Sequence, residues 1–183
     1  MERITDFRKA LTERFGKNFA NDIAATVRQY PEDFDMLYPL MGCGEEKIAW
    51  RAAWVCECLS ASHPEWFMSR YSEITGILLA SPYTGLRRCL LSILCTLPLP
   101  GGFPMELYDY CIRQMLAPDE AIANQALCIK LAYKLGCAEP ELLNELKVYL
   151  ENAEPAYYSA GVRCVIKNIL KQLSRRQGVN KND

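Results

Sequence analysis

The chain has 183 residues, of which 50% are hydrophobic and 23% charged, with 21 basic and 22 acidic side chains. That length fits one domain or one short repeat array. The composition supplies a core and excludes a disordered chain, while the balanced charge argues against wrapping a phosphate backbone over the whole surface; a local basic patch stays open.

Strand signals are weak, and the hydrophobic period is helical along the chain. In order, the sequence predicts helices near 4–15, 18–29, 45–60, 65–80, 84–96, 104–116, 120–135, 140–150 and 156–174. Breakers separate them: Pro31, Pro39 to Gly44, Ser62 to Pro64, Ser81–Pro82, "PLPGG" at 98–102, Pro118, Gly136 to Pro140 and Pro155. All ten prolines then lie at boundaries or in connections, where none incurs the roughly 3 kcal/mol of a helix-interior proline. Ser62, ahead of His63 and Pro64, is expected to cap the next helix. Asp119 and Glu120 place acids at the positive end of another. Gly136, with Lys134 in the preceding turn, is expected as a C-cap.

The nine cysteines sit mostly inside apolar helical periods. A secreted disulfide framework is usually small, loop-rich and preceded by an apolar leader. The first residues, "MERITDF", are charged and carry no apolar h-region. Reduced thiols acting as small hydrophobes in the cytoplasm explain the pattern best, and Cys89, Cys128 and Cys164 are expected to be buried. No apolar run reaches the length of a membrane span.

The strongest signal is an internal repeat. "WRAAWVCECL", "RRCLLSILCTL", "NQALCIKLAYKL" and "VRCVIKNILKQL" align with Arg51, Arg88, Gln125 and Arg163 equivalent, at intervals of 37, 37 and 38 residues. A small residue follows each: Ala52, Cys89, Ala126, Cys164. Six positions after the first come Glu57, Leu94, Leu131 and Ile169, of which only the glutamate is polar. A shorter helix precedes each segment. A two-helix unit at this interval marks an α-solenoid, whose hairpins bury their apolar faces on one another. A helical bundle with accidental spacing is the alternative.

The four segments resemble the second helices of HEAT or armadillo-type repeats, whose pattern is roughly "VRxxAxxxL". The resemblance spans about residues 45–174, with Gln125 in place of the third arginine. It implies an all-α fold, an α-α superhelix of stacked antiparallel hairpins, in which the arginine position orders neighbouring repeats. Residues 1–174 are then expected as a single repeat domain, with 1–44 as an N-terminal cap and 175–183 as a flexible basic and polar tail.

The basic residues are unevenly spread. Residues 1–120 carry 12 basic and 16 acidic side chains, and 121–183 carry 9 and 6. Arg163, Lys167 and Lys171 recur every four residues on one helix face, with Val162, Val165, Ile166, Ile169 and Leu173 on the other side. Lys130 and Lys134 occupy the second helix of the preceding unit, and in a right-handed solenoid such helices commonly line the concave side. These five cations form the candidate binding surface, against the alternative of a solvated capping face. Its partner would be an acidic protein segment, with nucleic acid less favoured.

Enzyme templates fit less well. Cys56 and Cys58 are two apart and do not face each other on a helix. A lone histidine, His63, excludes a histidine-rich metal site and reads as an ordinary surface residue. No phosphate-binding glycine loop or Gly-x-Ser-x-Gly elbow occurs. Glu45–Glu46 and Glu139 with Glu141 fall in first turns, where capping explains them. Phe103 and Tyr108, after "PLPGG", either join a contact surface or close the repeat core. Some HEAT-like proteins are alkylated-DNA glycosylases, and Trp50, Trp54, Trp66, Asp119 and Glu120 are the residues such a role would draw on. Trp50 and Trp54 read more simply as core, and no catalytic residue carries over. The sequence therefore favours a small helical-repeat scaffold or protein-interaction module, without catalysis, cofactor or metal. A nucleic-acid-binding relative of the glycosylases is the alternative.

Overall fold

The structure, a computed structural model, describes residues 3–13 and 16–179. Among them every regular element is helical. The chain divides into two compact units, Met1–Pro98 and Leu99–Asp183.

The first unit holds α1 (Phe7–Glu13), α2 (Lys17–Gln29), α3 (Phe34–Leu37), α4 (Glu46–Ser60), α5 (Glu65–Met68), α6 (Tyr71–Ala80) and α7 (Thr84–Thr96). The segment 31–42, where the sequence marks Pro31 and Pro39 to Gly44 as breakers and predicts no helix, folds into 3₁₀ turns at Pro31–Asp33 and Tyr38–Gly42 on either side of α3. Both prolines stand in the first turn, where a missing N–H costs nothing. At the centre is α4, against which α1, α2 and α7 pack. Its Ile48, Ala49, Ala52, Ala53, Val55, Cys56 and Leu59 are all buried. That is more than one stripe, because α4 has neighbours on several sides. The α6 and α7 hairpin closes over a short connection, and Ile74, Leu78, Leu90, Leu91 and Ile93 fill its interior.

The helix expected over 65–80 is broken. Between α5 and α6 the chain turns at Arg70, whose guanidinium lies 4.3 Å over the Tyr38 ring and 5.0 Å over Phe34, and which pairs with Asp35. These partners lie some thirty residues upstream, so nothing local announced the break. Ser62 does not cap α5. Its Oγ donates to Leu59 O at 3.2 Å and accepts from Arg28 Nε, turning back onto α4 instead.

The second unit holds α8 (Met105–Gln114), α9 (Ile122–Gly136), α10 (Pro140–Glu151) and α11 (Ala160–Val179). Here α9 is central and packs against α8, α10 and α11. Cys128, Ile129, Leu131, Ala132 and Leu135 are fully enclosed, whereas Ile122 in its first turn is 57% exposed. Tyr108 on α8 closes the core. It is buried, packs against the Phe103 ring at a tilt of 56° with centroids 5.9 Å apart, and donates its hydroxyl to Leu142 O at 2.7 Å. Gly136 is not a left-handed C-cap, since among the described residues only Gly16 and Gly44 have positive φ. It ends α9 where a Cβ would stand 3.1 Å from Leu143 Cδ2 of α10, so its role is close helix approach. The last helix starts at Ala160 rather than 156 and continues into the expected tail; residues 180–183 lie outside the described residues.

All nine cysteines are free. Cys56, Cys89, Cys111 and Cys128 are buried, but Cys164, expected inside, is exposed. It occupies the repeat position of Cys89. In the first unit α7 turns that position inward, whereas on α11 it falls on the side that neither α9 nor α10 covers.

Thiol labelling of the native protein should therefore be fast at Cys164 and slow at Cys56, Cys89, Cys111 and Cys128. Burial raises the Cys56 and Cys89 thiols well above their ordinary 9.0. Above that pH the unfolded chain loses these protons and the folded chain keeps them. Stability is thus fully present below pH 9 and falls as pH rises beyond it. A urea midpoint that is flat from pH 6 to 8 and declines above about 9, with a shallower decline in a Cys56→Val, Cys89→Val variant, is the expected result.

Candidate interaction surface

The repeat position 51, 88, 125, 163 recurs on α4, α7, α9 and α11, and each side chain reaches for something different. Arg51 Nη1 donates to Leu11 O at 2.6 Å, tying α4 to the end of α1. Arg88 donates to both carboxylate oxygens of Glu57, at 3.3 and 3.1 Å, tying α7 to α4. This pair explains why Glu57 is polar where Leu94, Leu131 and Ile169 are buried: it receives the arginine of the next repeat. Burial by itself lowers the Arg88 pKa, but the neighbouring Cys89 and Glu57 outweigh it and the net shift is upward. Gln125 Nε2 donates to Ala117 O at 2.7 Å, and Arg163 Nη1 makes a long 3.5 Å contact to Pro155 O. Both reach eight residues back, into the connection before their own helix. In the second unit the position therefore braces its own hairpin; in the first it braces neighbouring helices.

The five candidate cations divide between two flanks of α11. Val162, Ile169 and Leu173 form its buried row. On the α9 side an open groove of about 330 Å³ is lined by Lys130, Tyr133, Val165, Asn168, Ile169 and Gln172. Toward α10 a groove of about 390 Å³ is lined by Arg163, Ile166, Lys167 and Leu170 with Leu150, Glu151, Ala153 and Pro155. Lys130 thus lines one groove, and Arg163 and Lys167 the other. Lys171 is exposed one turn beyond Lys167, and Lys134 is half-buried one turn beyond Lys130. Val165 and Ile166, expected as part of the covered side of α11, are only half-buried and form groove walls. Leu170 was not singled out by the sequence, although its i,i+4 spacing from Ile166 was there to be read.

Other sequence candidates have local partners. Trp50 and Trp54 are half-buried on α4 and stack at 6.3 Å with 13° between planes. Trp66 packs on Phe34, and the His63 ring stacks on it at 4.3 Å, with His63 Nδ1 3.1 Å from Glu65 Oε1. Glu120 is buried, and its Oε1 accepts from Ala121 N–H and Asn124 Nδ2 at the start of α9. Asp119 is exposed. Cys56 is buried, and Cys58 lies half-buried with Sγ 3.5 Å from Asn21 Oδ1. Among the described residues no three histidine, cysteine or acidic side chains come together to hold a metal ion. None of the described helices is long and apolar enough to cross a membrane.

The profile of the HEAT repeat domain matches residues 7–173. The chain belongs to the HEAT repeat domain family. The match takes in most of the stretch expected as a cap as well as the four repeat segments. Searches of curated proteins and of solved structures return no match. The HEAT assignment therefore gives the fold and the repeat, and the chemistry must come from this chain's own surface.

The two ends of the repeat position differ in energetic weight. Gln125 is 5% exposed and makes a short bond. Arg163 is exposed and makes a long one. Gln125→Ala should cost about 1–3 kcal/mol in urea unfolding, and Arg163→Ala less than about 0.5 kcal/mol.

Proposed function

We propose that this HEAT-repeat chain is a cytoplasmic protein-interaction module that works without catalysis, and that its partner is acidic. In this reading residues 1–174 act as one repeat domain, capped by 1–44. The observation that carries it is the state of Arg163, Lys167 and Lys171. All three are exposed on α11, and none meets a carboxylate among the described residues. Cations serving as fold supports in this chain look different: Arg88 grips Glu57, and Arg70 pairs with Asp35.

Energetics support the same division of labour. Fully burying one leucine or isoleucine stabilises a fold by about 1.5–3 kcal/mol. An exposed ion pair contributes about 0–1 kcal/mol. The fold rests on its apolar rows, so the α11 cations are free to serve recognition at little structural cost. Lysines and arginines on one helix flank attract carboxylates, and the attraction weakens with salt over a screening length of about 10 Å at 0.1 M.

The double variant Lys167→Glu, Lys171→Glu should keep wild-type helicity and lose partners captured from cell extract. Capture by the wild type should weaken as salt is raised from 50 to about 300 mM. An unchanged set of partners would remove the α11 cations from the reading. Duplex binding or base release from alkylated DNA would move the chain to the glycosylase-like alternative.

A further inference from the structure

We infer that the groove between α10 and α11 docks an acidic segment of a partner protein, seating one of its aliphatic side chains between carboxylates that meet Arg163, Lys167 and Lys171. This rests on the interaction-module reading and narrows it to one groove and one ligand chemistry.

Two parallel rows define the α11 wall. Arg163 and Lys167 form the outer, cationic row, which exposed Lys171 continues one turn past the groove lining. Ile166 and Leu170, half-buried, form the inner, apolar row. Residues four apart on a helix are separated by about 6 Å along the axis. A ligand satisfying both rows carries carboxylates about 6 Å apart with an aliphatic group beside them, the pattern that an amphipathic helix presents at i and i+4. Leu150 of α10 lies at the base of the groove, and Pro155 lines it near the Arg163 guanidinium. The volume, about 390 Å³, is near the lower end of binding pockets and fits one or two side chains rather than an extended surface.

The same groove argues against other occupants. A basic segment would face the like charges of Arg163 and Lys167, with Lys171 one turn on. A wholly apolar one would leave those charges at its edge without partners. A nucleic acid would engage the cationic row but not the apolar floor. It would also meet Glu151, which lines the α10 rim and lies 3.8 Å from Lys147 Nζ. That single acid repels a polyanion from one side and directs a ligand's carboxylates toward α11.

The test selects twelve-residue peptides from a random displayed library on the full chain, then measures fluorescein-labelled winners by polarisation. The expected winners are net acidic, with an aliphatic residue flanked by Asp or Glu. Replacing that aliphatic residue by serine should weaken binding about tenfold or more. Lys167→Glu should do the same with helicity unchanged, and exchanging the peptide's glutamates for lysines should restore binding to that variant. Leu170→Asp should abolish binding; because this change also touches packing, Lys167→Glu and the charge exchange carry the decision. Acidic winners indifferent to both variants would overturn the groove and leave the module reading standing. Basic or uncharged winners would overturn the ligand chemistry. No enrichment above background would overturn both. A 20-base-pair duplex that outcompetes the winners and responds to Lys167→Glu would replace the protein segment with nucleic acid.

Discussion

A helix that is apolar around most of its circumference stays folded in water only if neighbours cover it on several sides, and α4 and α9 are two such helices. Alone, each would expose more aliphatic surface than a short helix can tolerate. In the first unit α1, α2 and α7 surround α4. In the second, α8, α10 and α11 surround α9. The remaining features of each unit serve that enclosure. Gly136 lets Leu143 approach α9. Tyr108 reaches Leu142 O and fastens α8 to α10. Ala52 and Ala53, both fully buried, let neighbours close on α4.

The enclosure also determines what α11 exposes. It covers α9 with Val162, Ile169 and Leu173, and has a neighbour on the α10 side. Its outward positions carry Arg163, Cys164, Lys167 and Lys171. The transition between these zones, at Ile166 and Leu170, is half-covered. A helix clad on one side and solvated on the other produces such a seam, with apolar and cationic rows adjacent. Recognition can develop there because Lys167 and Lys171 meet no carboxylate among the described residues and Arg163 makes only a long 3.5 Å contact to Pro155 O.

Much of the fold was legible in the sequence because it depends on local chemistry and strict periodicity. Prolines mark element ends because their missing N–H and fixed ring forbid helix interiors. The 37-residue interval marks the repeat because each hairpin needs the next. What stayed hidden depends on distant partners. Arg70 breaks a helix for the sake of Phe34, Tyr38 and Asp35. Glu57 looked out of pattern until Arg88 was placed beside it. Cys164 has the same local sequence logic as Cys89 and the opposite environment, because a covering helix is a tertiary fact. The candidate surface was legible as a charge pattern on α11. The separation of Lys130 from Arg163 and Lys167 was not, since it follows from which flank of α11 each neighbouring helix meets.

The central claim is that enclosure of α4 holds the first unit folded, that enclosure of α9 holds the second, and that the outer side of α11 is left solvated. Hydrogen exchange of the native protein, read by mass spectrometry, tests it most directly. Amides of α4 and α9 should be the last to exchange, opening only with global unfolding, while α11 exchanges earlier from its C-terminal turns inward. Protection in α11 equal to that in α9, or rapid exchange through α4, would contradict the account.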